Sequence, residues 1–152
     1  MRGEPINVLL VEDDPAHAEI VNRNFETFRI ANRLLHVWDG EEALDYLYRR
    51  GKFSDRQQSP RPGVILLDLR LPKIDGLEVL KIIKSDHDLR RIPVVILTTS
   101  ASESDKIKAY DNYVSSYLVK PVDYAQFVAL MQALGYYWLV WNDFPFERGS
   151  DE

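Results

Sequence analysis

The hydrophobic and polar positions of this 152-residue chain change period repeatedly, from unbroken apolar runs to stripes recurring every three or four residues. Short unbroken runs suit strands covered on both faces, and the stripes suit amphipathic helices. Residues 6–11 (INVLLV) form the first run, followed by a stripe of Ile20, Val21, Asn24, Phe25 and Phe28 with one polar interruption. Asp14-Pro15 suits the start of that helix, with aspartate as N-cap and proline at the first helical position. Residues 34–38 (LLHVW) predict a second strand and 40–50 (GEEALDYLYRR) a second helix. Residues 51–62 (GKFSDRQQSPRP) are polar, with two prolines and a glycine, the composition of a solvated loop.

The third strand is expected at 63–69 (GVILLDL), followed by a helix at 76–85 that turns Leu77, Leu80, Ile82 and Ile83 inward. Residues 92–99 (IPVVILTT) predict a fourth strand, and Ser102-Glu103-Ser104-Asp105 a capped helix start. A short fifth strand at 115–121 (SSYLVKP) and a helix at 123–134 complete the series. Strands alternating with helices imply a parallel sheet with helices on both faces. The expected fold is α/β: a doubly wound, five-stranded parallel sheet of the flavodoxin-like kind, in three αβα layers.

Composition narrows the function. The chain is 45% hydrophobic and 28% charged, ordinary for a globular domain. Its net charge of -5 argues against a nucleic-acid or acidic-membrane binder. The absence of cysteine excludes disulfides, thiolate metal sites and cysteine nucleophiles. The opening MRGEPIN lacks an apolar signal region, and no run of eighteen apolar residues occurs. A cytoplasmic location without membrane contact is therefore the expectation.

Ligands of such folds bind beyond the carboxyl ends of the strands. Glu12-Asp13-Asp14 stand at the first of these ends, Asp68 at the third, Thr98-Thr99-Ser100 at the fourth and Lys120-Pro121 at the fifth. Taken singly, most have ordinary explanations. Asp14 reads as a helix cap, Asp75-Gly76 as cap or turn chemistry, and each of Thr98, Thr99 and Ser100 as a turn residue. Asp68 is different, because a carboxylate inside the apolar run LLDLRLP is costly unless something compensates for it. Clustered carboxylates repel one another, so a cation belongs among them, and oxygen ligands select a hard ion such as Mg²⁺. Lys120 and Thr98 would supply a positive charge and a hydroxyl to a phosphoryl group, and an aspartate can itself be the nucleophile. Asp68 is thus a candidate phosphoacceptor.

With VEDD (11–14), LLDLRLPKIDG (66–76), PVVILTTS (93–100) and YLVKP (117–121) in this order, residues 5–135 resemble the receiver family of two-component response regulators. The resemblance implies a CheY-like fold, Glu12 and Asp13 as the acidic pair for Mg²⁺, Asp68 as phosphoacceptor and metal ligand, and the Arg70 backbone carbonyl as a further ligand. It implies Thr98 as switch hydroxyl, Tyr117 as switch aromatic and Lys120 as the phosphate-binding lysine. The implied donor is a phosphohistidine on a sensor histidine kinase, and the output is a protein contact face. Arg70 and Ser100 occupy positions that tune phosphoryl lifetime in the family, and the 51–62 connection is longer than usual.

Residues 136–152 follow the expected receiver domain, 1–135, and carry six aromatics between positions 136 and 146. Such a patch is expected to join two copies of the chain or to meet a partner. With the long loop, it resembles single-domain bacterial regulators that serve phytochrome kinases and dimerise on the side of the fourth helix, fifth strand and fifth helix. Three rivals stand beside this reading. A haloacid dehalogenase-type phosphatase would need an acid where Arg70 stands, and a flavodoxin-like flavin binder would need a hydroxyl-rich loop after the first strand. A structural dimer or adaptor, independent of phosphorylation, would not need the full set Glu12, Asp13, Asp68, Thr98 and Lys120.

Overall fold

The computed structural model describes residues 7–27, 33–98, 116–120, 125–126 and 128–129. Phe28, Thr99, Ser100, the capped start at 102–105, much of the helix expected at 123–134 and the aromatic segment 136–146 lie outside the described residues. So do the side chains of Asn24, Phe25 and Tyr117.

The elements run β1 (Asn7–Val11), α1 (Pro15–Thr27), β2 (Arg33–Val37), α2 (Gly40–Leu47), β3 (Val64–Asp68), α3 (Gly76–Ser85), β4 (Val94–Thr98) and β5 (Ser116–Val119). The five strands form one sheet in the order β2-β1-β3-β4-β5, with every pairing parallel. All carboxyl ends therefore point to one edge, and the order reverses between β1 and β3.

Alternation along the strands sorts the two faces. Leu9, Val11, Ile65, Leu67, Val94 and Ile96 share a core with Ala43, Leu44 and Leu47 of α2 and Val79, Leu80 and Ile83 of α3. The intervening Val8, Leu10, Val64, Leu66, Val95 and Leu97 are also buried, so the opposite face is covered too, and Ala18 and Val21 of α1 are buried outside the first cluster. A carboxylate on a central strand of such a sheet has little water around it.

Three local expectations are corrected. Ile20 is 38% exposed, whereas Ala18 and Val21 of the same helix are buried. In α3, Val79 is a core residue that the expected stripe left out; Leu80 and Ile83 share the core with it, and Leu77 and Ile82 pack against it, partly buried. The second helix stops at Leu47 rather than Arg50. Its end is a Schellman turn, in which Arg50 N–H donates to Asp45 C=O (2.8 Å) and Arg49 N–H to Tyr46 C=O (3.1 Å), with Arg49 in the left-handed region at φ 54°.

The 51–62 segment is docked rather than merely solvated. Phe53 packs against the core and meets the Tyr46 ring edge-on at 5.2 Å. The Tyr46 hydroxyl donates to Pro60 C=O at 2.6 Å, and Arg49 Nε to Ser59 C=O at 3.1 Å. Among the described residues, no helix is long and apolar enough to cross a membrane.

Candidate functional site

The parallel register brings the strand ends together. Val11 pairs with Leu67, so Glu12, next along, stands beside Asp68 at the switch point between β1 and β3. Glu12 and Asp68 are buried, whereas Asp13 points to solvent. Carboxylate oxygens of the three lie within 4.8 Å of one another. Lys120, immediately after β5, closes the cluster with its Nζ 2.8 Å from Glu12 Oε1 and 3.0 Å from Asp68 Oδ2. One ammonium thus serves two buried carboxylates.

Local structure explains how each group is held. Lys120 N–H donates to Thr98 C=O at 2.8 Å, tying the β5 end to the β4 end. Thr98 is 1% exposed at the last position of its strand. Arg70 N–H donates to Asp68 Oδ1 at 3.2 Å, which turns the loop after β3 back over the site. Tyr117 lies on β5 opposite Ile96. Asp14 caps α1, accepting from Ala16 N–H at 2.8 Å, and Asp75 caps α3, accepting from Leu77 N–H at 3.4 Å. The sequence reading of both as caps holds.

The electrostatics follow from burial. Desolvation pushes the Glu12 carboxyl up to about 7, with Asp68 adding to the rise and Lys120 opposing it. Burial alone would lower the Lys120 ammonium, but Glu12 and Asp68 together raise it. The buried Oε1 of Glu12 has the Lys120 ammonium as its close partner, at 2.8 Å. Three carboxylates with oxygens this close together are a donor set that fits a hard divalent cation.

Two features of the site were not read from the sequence. A Cβ on Gly76 would lie 2.4 Å from Asp68 C=O and 2.6 Å from Leu69 C=O, so this glycine lets the start of α3 press on the strand end. His36 reaches the Glu12 carbonyl from β2. Neither a turn signature nor a helical stripe announces such contacts.

An α/β sheet with this acidic cluster and facing lysine is the architecture of a phosphorylation-dependent signalling domain. A family model described as the response regulator receiver domain matches residues 8–132, and the chain belongs to that family. It is 44% identical over 142 residues to the probable methanogenesis regulatory protein FilR2 of Methanothrix harundinacea, covering 93% of this chain and 89% of that protein. It is 42% identical over 135 residues to the response regulator Rcp1 of Synechocystis, covering 89% and 90%. The structure of the Mn²⁺-bound form of Rcp1 matches with a TM-score of 0.68 over 86% of this chain and 91% of that one. The bacteriophytochrome response regulator RtBRR, at 47% identity, matches with a TM-score of 0.82 over 92% and 84% of the two chains.

Proposed function

We propose that Asp68 accepts a phosphoryl group from a phosphohistidine of a sensor histidine kinase and holds it as an aspartyl-phosphate. The carrying observation is the pairing of buried Asp68 with Lys120 at 3.0 Å within reach of Glu12 and Asp13. In the transfer, an Asp68 carboxylate oxygen bonds to phosphorus as the phosphorus–nitrogen bond breaks, and the electron pair returns to the kinase imidazole, which takes up a proton. Lys120 then exchanges a carboxylate partner for a phosphoryl oxygen, and the Thr98 hydroxyl donates to another.

Glu12, Asp13, Asp68 and the Arg70 carbonyl are the groups that would hold Mg²⁺. The close approach of the three carboxylates supports this, as does the Mn²⁺-bound form of Rcp1. When bound, the ion would neutralise the carboxylates and the incoming phosphoryl oxygens. The same site would return the phosphoryl group to water in a self-catalysed hydrolysis.

Thr98 and Tyr117 form the proposed switch, reporting phosphorylation to a contact face on the β4–β5 side. The 47% identity to a bacteriophytochrome response regulator favours a phytochrome-type kinase as the donor. Residues 1–135 form the proposed receiver and 136–152 an extension that joins two copies, acting in the cytoplasm without nucleic acid or membrane. Intact-mass measurement after incubation with acetyl phosphate, with and without Mg²⁺, tests the assignment. One added phosphoryl group is expected in the presence of Mg²⁺, and none on Asp68→Asn. An Asp68→Asn protein phosphorylated like the unaltered chain would refute it.

A further inference from the structure

We infer that His36 is a positioning residue of the cation site, acting through the backbone of Glu12. The inference rests on the metal reading above and assigns a role to a residue outside the acidic cluster. Glu12 follows the last residue of β1, where the strand ladder ends, yet both of its backbone polar groups are held by β2. Its N–H donates to Val37 C=O at 3.1 Å, and its C=O lies 2.8 Å from His36 Nε2. A carbonyl oxygen only accepts, so Nε2 carries the hydrogen.

That bond matters because the Glu12 carbonyl belongs to the peptide linking the two acidic residues. Rotation of this peptide plane would swing Asp13, which is exposed, away from Glu12 and Asp68. On the side-chain side, Asp14 N–H donates to Glu12 Oε2 at 3.1 Å, so the turn is held at both ends. The imidazole itself is fixed in turn. Its ring packs against that of Trp38 in a tilted arrangement, with centroids 4.1 Å apart and planes inclined by 49°. Trp38 N–H donates to Glu42 Oε1 at 2.7 Å, anchoring the residue to the first turn of α2. An otherwise unexplained exposed tryptophan, at 46%, thereby orients the histidine that orients the ligand peptide. Outer partners that orient ligating groups commonly tune metal affinity.

The test uses Mn²⁺ alone as probe, counting free ion by electron paramagnetic resonance, on the full chain and three variants. His36→Phe keeps the ring and removes the donor, and His36→Gln restores an N–H at similar reach. Asp13→Asn reports on the acidic site itself. Mn²⁺ binding should weaken about five-fold in His36→Phe, the worth of one ordinary hydrogen bond, and recover to within about two-fold in His36→Gln. Native-like affinity in His36→Phe, with binding lost in Asp13→Asn, overturns the positioning role and leaves the metal reading standing. Equal loss in Phe and Gln variants overturns it in favour of packing. Unchanged binding in Asp13→Asn removes the metal reading and the inference with it. Imidazole ¹⁵N shifts of the unaltered protein should place the hydrogen on Nε2, and an Nδ1–H tautomer overturns the inference even where a variant fails to fold.

Discussion

At the scale of residues, Glu12, Asp68 and Lys120 are one electrostatic unit of two carboxylates around one ammonium. Glu12 binds its proton more tightly folded, at about 7, than at its ordinary 4.5. Its contribution to stability is therefore complete below about 4.5 and is lost as pH rises through about 7. Urea midpoints of the metal-free protein in EDTA should fall between pH 5.5 and pH 8, and Mg²⁺ should restore much of the loss at the upper end. Removing the ammonium leaves the two carboxylates uncompensated. Lys120→Met should cost on the order of 3 kcal/mol at pH 8, and less at pH 6, where Glu12 can take up a proton. A loss independent of pH would mean that Lys120 acts through packing alone.

At the scale of elements, the site depends on how closely neighbouring segments approach. Gly76 N–H donates to Leu69 C=O at 2.9 Å, and the missing side chain leaves room for the Asp68 carbonyl. Gly76→Ala should cost about 2 kcal/mol, the usual penalty for overfilling a packed contact. Because the clash is with Asp68 itself, Mn²⁺ affinity should fall as well, so urea denaturation and metal binding should move together. The docked 51–62 loop makes a different kind of contact. Tyr46→Phe deletes the hydroxyl that holds Pro60 C=O at 2.6 Å and leaves that carbonyl to water. A loss of about 1 kcal/mol is expected, with faster proteolysis between Ser54 and Arg61 as the more sensitive readout. Phosphorylation from acetyl phosphate should be nearly unchanged, since this loop lies at the opposite end of β3 from Asp68.

At the scale of the whole molecule, the sheet order brings distant segments of the chain into one site, and the aromatic segment is proposed to serve assembly. Six aromatics between positions 136 and 146 would expose a large apolar area on a monomer, enough to favour burial against a second copy. A symmetric dimer would pair the same patch from each subunit. Sedimentation of the full chain should show a dimer at micromolar concentration, and a chain ending at Gly135 should be monomeric. Monomers in both cases, with and without phosphodonor, would mean that the segment packs on its own domain.

The sequence alone was enough for the order of the five strands and of the three helices among the described residues, because each buried strand is a continuous apolar run and each of these helices a local stripe. It also showed Asp68 as anomalous, since a carboxylate in LLDLRLP departs from the run around it, and it placed Glu12, Asp13, Thr98 and Lys120 at strand ends. Tertiary structure decided which of these groups touch. Lys120 reaches Asp68 across 52 residues and His36 reaches the Glu12 carbonyl across 24. The need for glycine at 76 likewise appears only when α3 is seated on the end of β3. Parallel strands pair through long connections, so a cross-strand donor leaves no mark in the periodicity of its own segment. The pattern determined which elements form; their packing determined which atoms meet.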